Sequence, residues 1–185
     1  MIKVVNVVAS GSLGLELDLV TIEEELSDIV DYDPEMYPGA YIHLGESYPL
    51  VTIYRTGKYI ITGADSKAEA DSTRDTLLNL LSDHKILPAA DDDWFAIQNY
   101  VCMGDIRREL DLDALVIDLG LEISEYEPEQ FPGIVYRPPN HNCVLLIFRS
   151  GKVIITGGKD IDSSKNAFST LYEHINNLFR NDSLD

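Results

Sequence analysis

The chain has 185 residues, of which 45% are hydrophobic and 25% charged, with 32 acidic side chains against 14 Lys and Arg and a formal net charge of −18. This apolar content excludes a disordered chain, and no run approaches the roughly 18 apolar residues that a membrane-spanning helix requires. Taken alone, the acidic excess argues against nucleic acid as a partner, because phosphates attract basic proteins.

The N-terminal segment MIKVVNVVASGSLG carries one lysine and a short apolar run with polar residues directly after it. This pattern is typical of a strand and not of a signal peptide. The two cysteines, Cys102 and Cys143, match no disulfide framework or metal-ligand spacing. The presence of only two cysteines, without such a pattern, favours a reducing, cytoplasmic setting.

The chain contains an internal repeat. YDPEMYPG at residues 32–39 returns as YEPEQFPG at residues 126–133, and the later segments IYRTGK and IITG return as IFRSGK and IITG at the same offset of 94 residues. Upstream, NVV and ELDL return as NYV and ELDL at an offset of 93 residues. These motifs in register predict two pseudo-symmetric half-domains, residues 1–93 and 94–185.

Each copy predicts the same order of elements. A short strand (3–9 and 96–102) leads to a helix that begins near Asp18 or Asp111, both suited to the N-cap position. Pro-Gly turns then separate strands rich in β-branched and aromatic residues, with the TGK and SGK segments as hairpin turns. A longer amphipathic helix ends each copy.

The strands 50–54 and 144–148 are apolar on both faces. Two helices per copy are enough to cover about one face of an antiparallel sheet, so the other face is expected to be an exposed apolar surface that binds a partner. The alternative is that the two copies pack face to face and bury this surface.

The expected exposed surface is poor in carboxylates. Segment 37–63 has one acidic residue against two basic ones, and segment 131–159 has four basic residues and no acidic one. Nearly all of the acidic excess therefore lies outside these strand segments. A surface that faces phosphates has a reason to exclude carboxylates in this way.

These residues resemble the TATA-box-binding protein family, especially its archaeal members. The resemblance covers nearly the whole chain, and its most specific motifs are YEPEQFPGIVYR, from Tyr126 to Arg137, and LIFRSGK, from Leu146 to Lys152. It implies an α+β fold: a saddle with a curved ten-stranded antiparallel sheet and helices on the convex face. It also implies a general transcription initiation factor without enzymatic activity or cofactor, associated with the nucleoid of an archaeal cell.

The resemblance implies that the concave face lies on the minor groove of double-stranded DNA at the TATA box. The implied aromatic wedges are Tyr37, Tyr54, Phe131 and Phe148. The implied hydrogen-bonding groups are Asn6, Asn99, Thr62 and Thr156. The implied apolar contacts are Val8, Ile60, Val101, Leu146 and Ile154. The implied phosphate-binding residues are Arg55, Lys58, Arg137, Arg149 and Lys152. The alternative is that Val8, Ile60 and Ile154 are plain core and that the arginines are solvated strand ends.

The resemblance also assigns the turn before Phe131 to transcription factor B, with Glu127, Glu129 and Gln130 as contact residues, and thereby connects the protein indirectly to the RNA polymerase pre-initiation complex. The alternative for this turn is simple solvation.

The first copy departs from the family pattern at Tyr37, Tyr54, Thr52 and His43. A phenolic hydroxyl pushed between bases without a partner costs about 1–3 kcal/mol, so we expect the second copy to bind DNA more strongly. The many acidic residues outside the strand segments suggest a protein that stays soluble in a salt-rich cytoplasm, where salt screens the repulsion between like charges.

Other function classes receive less support. The four histidines are scattered, and neither a catalytic triad pattern nor a phosphate-binding glycine loop occurs. The acidic run Asp91–Asp93 is interpreted as a solvated linker rather than a cation site. The main alternative is a diverged paralogue that acts as a protein-binding adaptor or competitor with weak DNA binding.

Overall fold

The computed structural model describes residues 1–88 and 91–181, which form ten strands and four helices in the predicted repeated order. The first series is β1 (Lys3–Ser12), α1 (Leu19–Glu25), β2 (Val30–Asp31), β3 (Gly39–Ile42), β4 (Leu50–Tyr54), β5 (Lys58–Ala64) and α2 (Lys67–Asp83). The second is β6 (Trp94–Asp105), α3 (Leu112–Leu119), β7 (Ser124–Glu125), β8 (Gly133–Tyr136), β9 (Val144–Phe148), β10 (Lys152–Gly158) and α4 (Ile161–Asn181). Residues 89–90 and 182–185 of the predicted repeats lie outside the described residues.

The chain divides into two compact units. The first unit is Asn6–Gln98, and the second is Met1–Val5 with the described residues from Asn99 onward. In the first unit the antiparallel strand order is β2-β3-β4-β5-β1, and in the second it is β6-β10-β9-β8-β7. The division between the units falls within β6, so the predicted repeat boundary at residue 93 stays a prediction.

The first strand of each copy is longer than predicted. β1 continues through Ser12 because Ser10 and Gly11 pair with Ile60 and Tyr59 of β5. Pairing within the sheet therefore overrides the weak strand propensity of glycine and serine. A side chain at Gly11 is excluded, because a Cβ there would lie 2.3 Å from the hydroxyl oxygen of Tyr59.

Both predicted hairpin turns are confirmed. Gly57 and Gly151 have φ angles of +75° and +81°, a conformation that favours glycine. Their amides donate to the carbonyl oxygens of Tyr54 and Phe148 at 2.8 and 2.9 Å. Each turn therefore brings the end of one strand back onto the next.

Both predicted N-caps are confirmed. The Asp18 carboxylate accepts from the amides of Val20 and Thr21. The Asp111 carboxylate accepts from the amides of Asp113 and Ala114. These bonds satisfy amides that have no acceptor within the helix.

The long helix of each unit packs on one face of that unit's sheet. Fully buried strand residues such as Ile61 and Ile155 alternate with half-exposed ones, and α2 and α4 contribute Leu77 and Ile175 to the cores. A Cβ at Gly104 would lie 2.3 Å from the Phe168 ring of α4, which identifies the covered face. We call the opposite face of each sheet its open face. Burial of each large core side chain contributes about 1.5–3 kcal/mol.

Candidate nucleic-acid interface

The predicted contact residues on the strands lie on the open faces, and none of them is buried. They are Asn6, Val8, Tyr54, Ile60 and Thr62 in the first unit, and Asn99, Val101, Leu146, Phe148, Ile154 and Thr156 in the second. Each is out of phase with the fully buried residues of its own strand, because successive side chains point to opposite faces. The interpretation of Val8, Ile60 and Ile154 as plain core is therefore wrong.

Strand register extends the open face beyond the predicted residues. In the second unit, Ile154 pairs with both Met103 and Leu146, and Leu146 pairs with Val135. These four residues form an entirely apolar row across β6, β10, β9 and β8. Met103 and Val135 were missed from the sequence, although Met103 lies two positions after Val101 and so shares its face.

The corresponding row of the first unit is more polar. Ile60 pairs with Ser10 and Thr52, and Thr52 pairs with Tyr41. We call this the hydroxyl row, because three of its four residues carry a hydroxyl group. Thr52 is only 7% exposed, whereas Leu146 at the matching position of the second unit is half-exposed.

Both predicted asparagines are oriented by a glycine amide. The Oδ1 atom of Asn6 accepts from the Gly63 amide at 2.9 Å, and that of Asn99 accepts from the Gly157 amide at 2.8 Å. These bonds direct the Nδ2 donors away from the glycines. The Nδ2 of Asn99 donates to Thr156 Oγ1 at 3.1 Å, and the Nδ2 of Asn6 has no acceptor within the described part of the chain.

The two predicted wedge phenylalanines of the second unit contact each other. The ring centroids of Phe131 and Phe148 are 5.7 Å apart with an interplanar angle of 60°. A Cβ on Gly133, which pairs with Phe148, would lie 3.1 Å from the Phe131 ring and 3.2 Å from the Phe148 ring. The small residue therefore provides room for both rings.

The first unit replaces this pair with a cluster of tyrosines. The hydroxyl oxygens of Tyr37 and Tyr54 lie 2.6 Å apart, and Tyr41 stacks on Tyr37 with centroids 5.5 Å apart. Their hydrogen bond, together with burial, raises the pKa of Tyr54 to about 12. The two hydroxyls therefore satisfy each other within the protein, and the expected cost of placing them between bases stays a prediction.

Two of the predicted phosphate-binding residues form ion pairs. Arg137 donates to the Glu125 carboxylate at 2.9 Å, and Lys152 donates to the Asp105 carboxylate at 2.6 Å. The Lys152 ammonium group and the Arg107 amide hold the pKa of Asp105 below its usual range. Both carboxylates come from outside the segment 131–159, so the acid-free segment has acidic neighbours that its own sequence does not reveal.

The other predicted cations are exposed. Arg55, Lys58 and Arg149 have no carboxylate within 4 Å among residues 1–88 and 91–181. Arg55 and Lys58 also line a cavity of about 740 Å³ in the first unit, together with Tyr54 and the exposed Trp94. This cavity combines apolar surface with positive charge at the edge of the open face.

The predicted partner-binding turn is exposed. Glu127, Glu129 and Gln130 all face solvent. The carbonyl oxygen of Glu127 accepts from the amides of Gln130 and Phe131, both at 2.9 Å. The turn is therefore tied through the backbone to one of the wedge residues.

The acidic run has more structure than a solvated linker. The Asp92 carboxylate accepts from the Tyr59 hydroxyl at 2.8 Å, and the Asp93 amide donates to the Ser12 carbonyl at 2.7 Å. Burial and the Asp92 carboxylate together raise the pKa of Tyr59. The structure therefore assigns Asp92 a stabilising contact that the sequence did not indicate.

The described residues contain neither a metal-binding cluster nor a membrane-spanning helix. Residues 1–88 and 91–181 contain no cluster of three or more His, Cys, Asp or Glu side chains that could hold a metal ion. Over the same ranges, no helix has the length and apolar character needed to cross a membrane.

Comparison with known proteins is consistent with the motifs and the fold. The family model "Transcription factor TFIID (or TATA-binding protein, TBP)" matches residues 1–84 and 94–178. The chain is 42% identical over 178 residues to TATA-box-binding protein C of Halobacterium salinarum, covering 96% of this chain and 98% of that protein. It is 38% identical over 177 residues to the TATA-box-binding protein of Archaeoglobus fulgidus, with 96% of each covered.

The fold comparison agrees. The solved structure of Methanococcus jannaschii TBP matches with a TM-score of 0.82 and 39% identity, covering 95% of this chain and 98% of that one. This match confirms the predicted fold class. With the family model matching both repeats and archaeal relatives matching over nearly their full length, the chain belongs to the TATA-binding protein family.

Proposed function

We propose that the protein is a general transcription initiation factor that binds the minor groove of TATA-box DNA, bends it by aromatic wedging and recruits transcription factor B. The observation that carries this proposal is the open face of each unit. Each open face is partly exposed and carries an asparagine whose oxygen accepts from a glycine amide, and the central row of the second unit is entirely apolar. The Asp105 and Glu125 carboxylates beside the second face are engaged in ion pairs.

The chemistry of this face suits the minor groove. A·T and T·A pairs both present only adenine N3 and thymine O2 acceptors there, so apolar contact plus a few donors is an adequate means of recognition. The Nδ2 groups of Asn6 and Asn99 are such donors, because their oxygens are already occupied by the glycine amides.

The aromatic pairs are suited to wedging. Apolar side chains that enter the minor groove can partly unstack a base step, and TA steps unstack most easily. Phe131 and Phe148 bring no polar atom into such a step, and Gly133 leaves space for both rings. The tyrosine pair of the first unit is a poorer wedge, so the second unit is expected to contribute more to binding.

The exposed turn at Glu127, Glu129 and Gln130 supports the partner assignment. Its carboxylates face solvent and are free to pair with basic groups on transcription factor B. Through that factor the protein would contact the RNA polymerase pre-initiation complex indirectly.

The test is a mobility-shift and bending assay on a TATA duplex, with and without transcription factor B and across a salt series. We expect a bent binary complex and a further shift with the factor. Because acidic helices and paired cations limit the release of counterions, affinity should fall less steeply with salt than for a basic repressor. Binding of the factor without binding of DNA would instead identify a protein-binding adaptor.

A matched pair of charge reversals tests the partner surface. Glu129→Lys should abolish the ternary complex and retain DNA binding. Glu35→Lys, at the equivalent exposed position of the first copy, should leave both complexes intact. Equal effects of the two substitutions would contradict the assignment.

A further inference from the structure

The two units differ in how their open faces would accommodate a guanine. In the minor groove, a G·C pair differs from an A·T pair by the guanine N2 amino group, which is a hydrogen-bond donor that projects from the floor of the groove. A protein surface that covers this group must provide both space and an acceptor, since a desolvated donor without a partner is costly.

The second unit offers neither space nor an acceptor in its central row. The row consists of Met103, Ile154, Leu146 and Val135, and all four side chains are partly exposed on the open face. None of them carries an oxygen or nitrogen atom. A guanine amino group covered by this row would lose its water and gain no acceptor.

The hydroxyl row of the first unit offers both. The Thr52 side chain is shorter than that of Leu146, so it leaves more space at this position of the row. The hydroxyls of Ser10, Thr52 and Tyr41 have no hydrogen-bond partner in the described ranges and are not fully enclosed. Each can therefore accept a hydrogen bond from an amino group placed against the row.

We propose that the first unit tolerates G·C pairs in its half of the DNA site, whereas the second unit is restricted to A·T pairs. This inference rests on the proposed function and makes it more specific. Recognition would be asymmetric, so the composition of the two half-sites would set the direction in which the protein sits on the DNA.

A self-complementary alternating TA duplex provides the test, because its two halves are identical before substitution. G·C pairs are introduced at each position in turn, either in one half or at the symmetry-related positions of both halves, and affinity is measured by fluorescence anisotropy. With one half substituted, the protein can place that half under the first unit, so affinity should stay within about threefold of that for the unsubstituted duplex. With both halves substituted, the loss should reach about 10- to 100-fold, as for a disfavoured base pair.

Inosine separates the amino group from other properties of the pair. An I·C pair lacks the N2 amino group, so substitution in both halves should restore affinity to near that of the A·T duplex. If I·C is as weak as G·C, DNA deformability and not the hydroxyl row sets the preference, and the inference is wrong. The inference is also wrong if, at every position, substitution of the second half lowers affinity by the same factor as substitution of the first half did.

A reciprocal exchange at matched positions completes the experiment. In the Thr52→Leu variant, G·C substitution of one half should lower affinity as much as substitution of both halves does in the wild type. In the Leu146→Thr variant, affinity for the duplex with both halves substituted should return to near that for the A·T duplex. Thermal unfolding and affinity for the A·T duplex are measured for each variant. Failure to bind the A·T duplex at all would reject the proposed function itself, whereas binding without any difference between G·C patterns would reject only this inference.

Discussion

The hydroxyl oxygens of Tyr37 and Tyr54 lie 2.6 Å apart, at the positions where the second unit has Phe131 and Phe148. The two phenols therefore satisfy each other in the first unit. If the two rings separate to enter a base step, that bond is lost and both hydroxyls are left without partners in an apolar stack. In that case a contact that stabilises the first unit opposes its wedging.

Removal of both hydroxyls should tighten binding to an all-A·T TATA duplex. Tyr37→Phe combined with Tyr54→Phe abolishes the bond that opposes wedging, whose net contribution is about 0.5–1.5 kcal/mol, so affinity should rise about 3- to 10-fold. The reciprocal variant, Phe131→Tyr with Phe148→Tyr, should weaken binding. An unchanged affinity in the first variant would count against the asymmetry between the units.

The same bond should be visible by spectrophotometric titration. The pKa of Tyr54 is about 12, and Tyr37→Phe should move it back toward the ordinary tyrosine value of about 10. A raised pKa favours the protonated folded form, so the stabilisation is complete below pH 10 and is lost as pH rises through 12. Alkaline unfolding of the wild type and the variant should therefore differ below pH 10 and converge above 12. An unchanged Tyr54 titration midpoint in the variant would exclude the bond in solution.

The orientation of Asn6 predicts an unusual substitution effect. Asn6→Asp keeps an oxygen that accepts from the Gly63 amide but replaces the outward donor with a second carboxylate oxygen. Affinity for TATA DNA should fall at least about tenfold, because a donor to the bases is lost and charge repulsion is added. The melting temperature should change little, and Asn99→Asp should behave similarly. A variant that keeps its DNA affinity would show that the Nδ2 donor is not used.

The ion pair between Lys152 and Asp105 should restrain DNA binding. Asp105→Asn frees the ammonium group for a phosphate, so affinity should rise at low salt and the salt dependence should become steeper by up to about 0.9 in log–log slope. Anisotropy titrations across a salt series measure both effects.

The matched control uses the first unit, where Ser12 pairs with Lys58 in place of a carboxylate. Ser12→Asp should create the missing ion pair and weaken DNA binding at low salt. If neither substitution alters the salt dependence, these lysines do not contact phosphate.

Much of the fold follows from local patterns. The repeated YDPEMYPG and YEPEQFPG motifs, the TGK and SGK turns and the Asp18 and Asp111 caps act over a few residues, so the sequence predicts them directly. Strand alternation also predicted which residues share the open face, because the side-chain period of a strand is two residues.

Pairing between distant segments could not be predicted in this way. The extension of β1 through Ser12, the row that joins Met103 to Val135, and the approach of Asp105 and Glu125 to Lys152 and Arg137 all depend on strand register. The contact of Asp92 with Tyr59 depends on it as well.

The sequence by itself determined the repeat, the apolar and acid-poor strands and the family, since these are written in residue order and composition. Only the tertiary structure decided that the first-unit phenols bond to each other, that two of the cations are paired and that the side-chain oxygens of both asparagines accept from glycine amides. Hydrogen bonds require atoms within about 3 Å and ion pairs within about 4 Å, and for residues far apart in the chain those distances are set by folding.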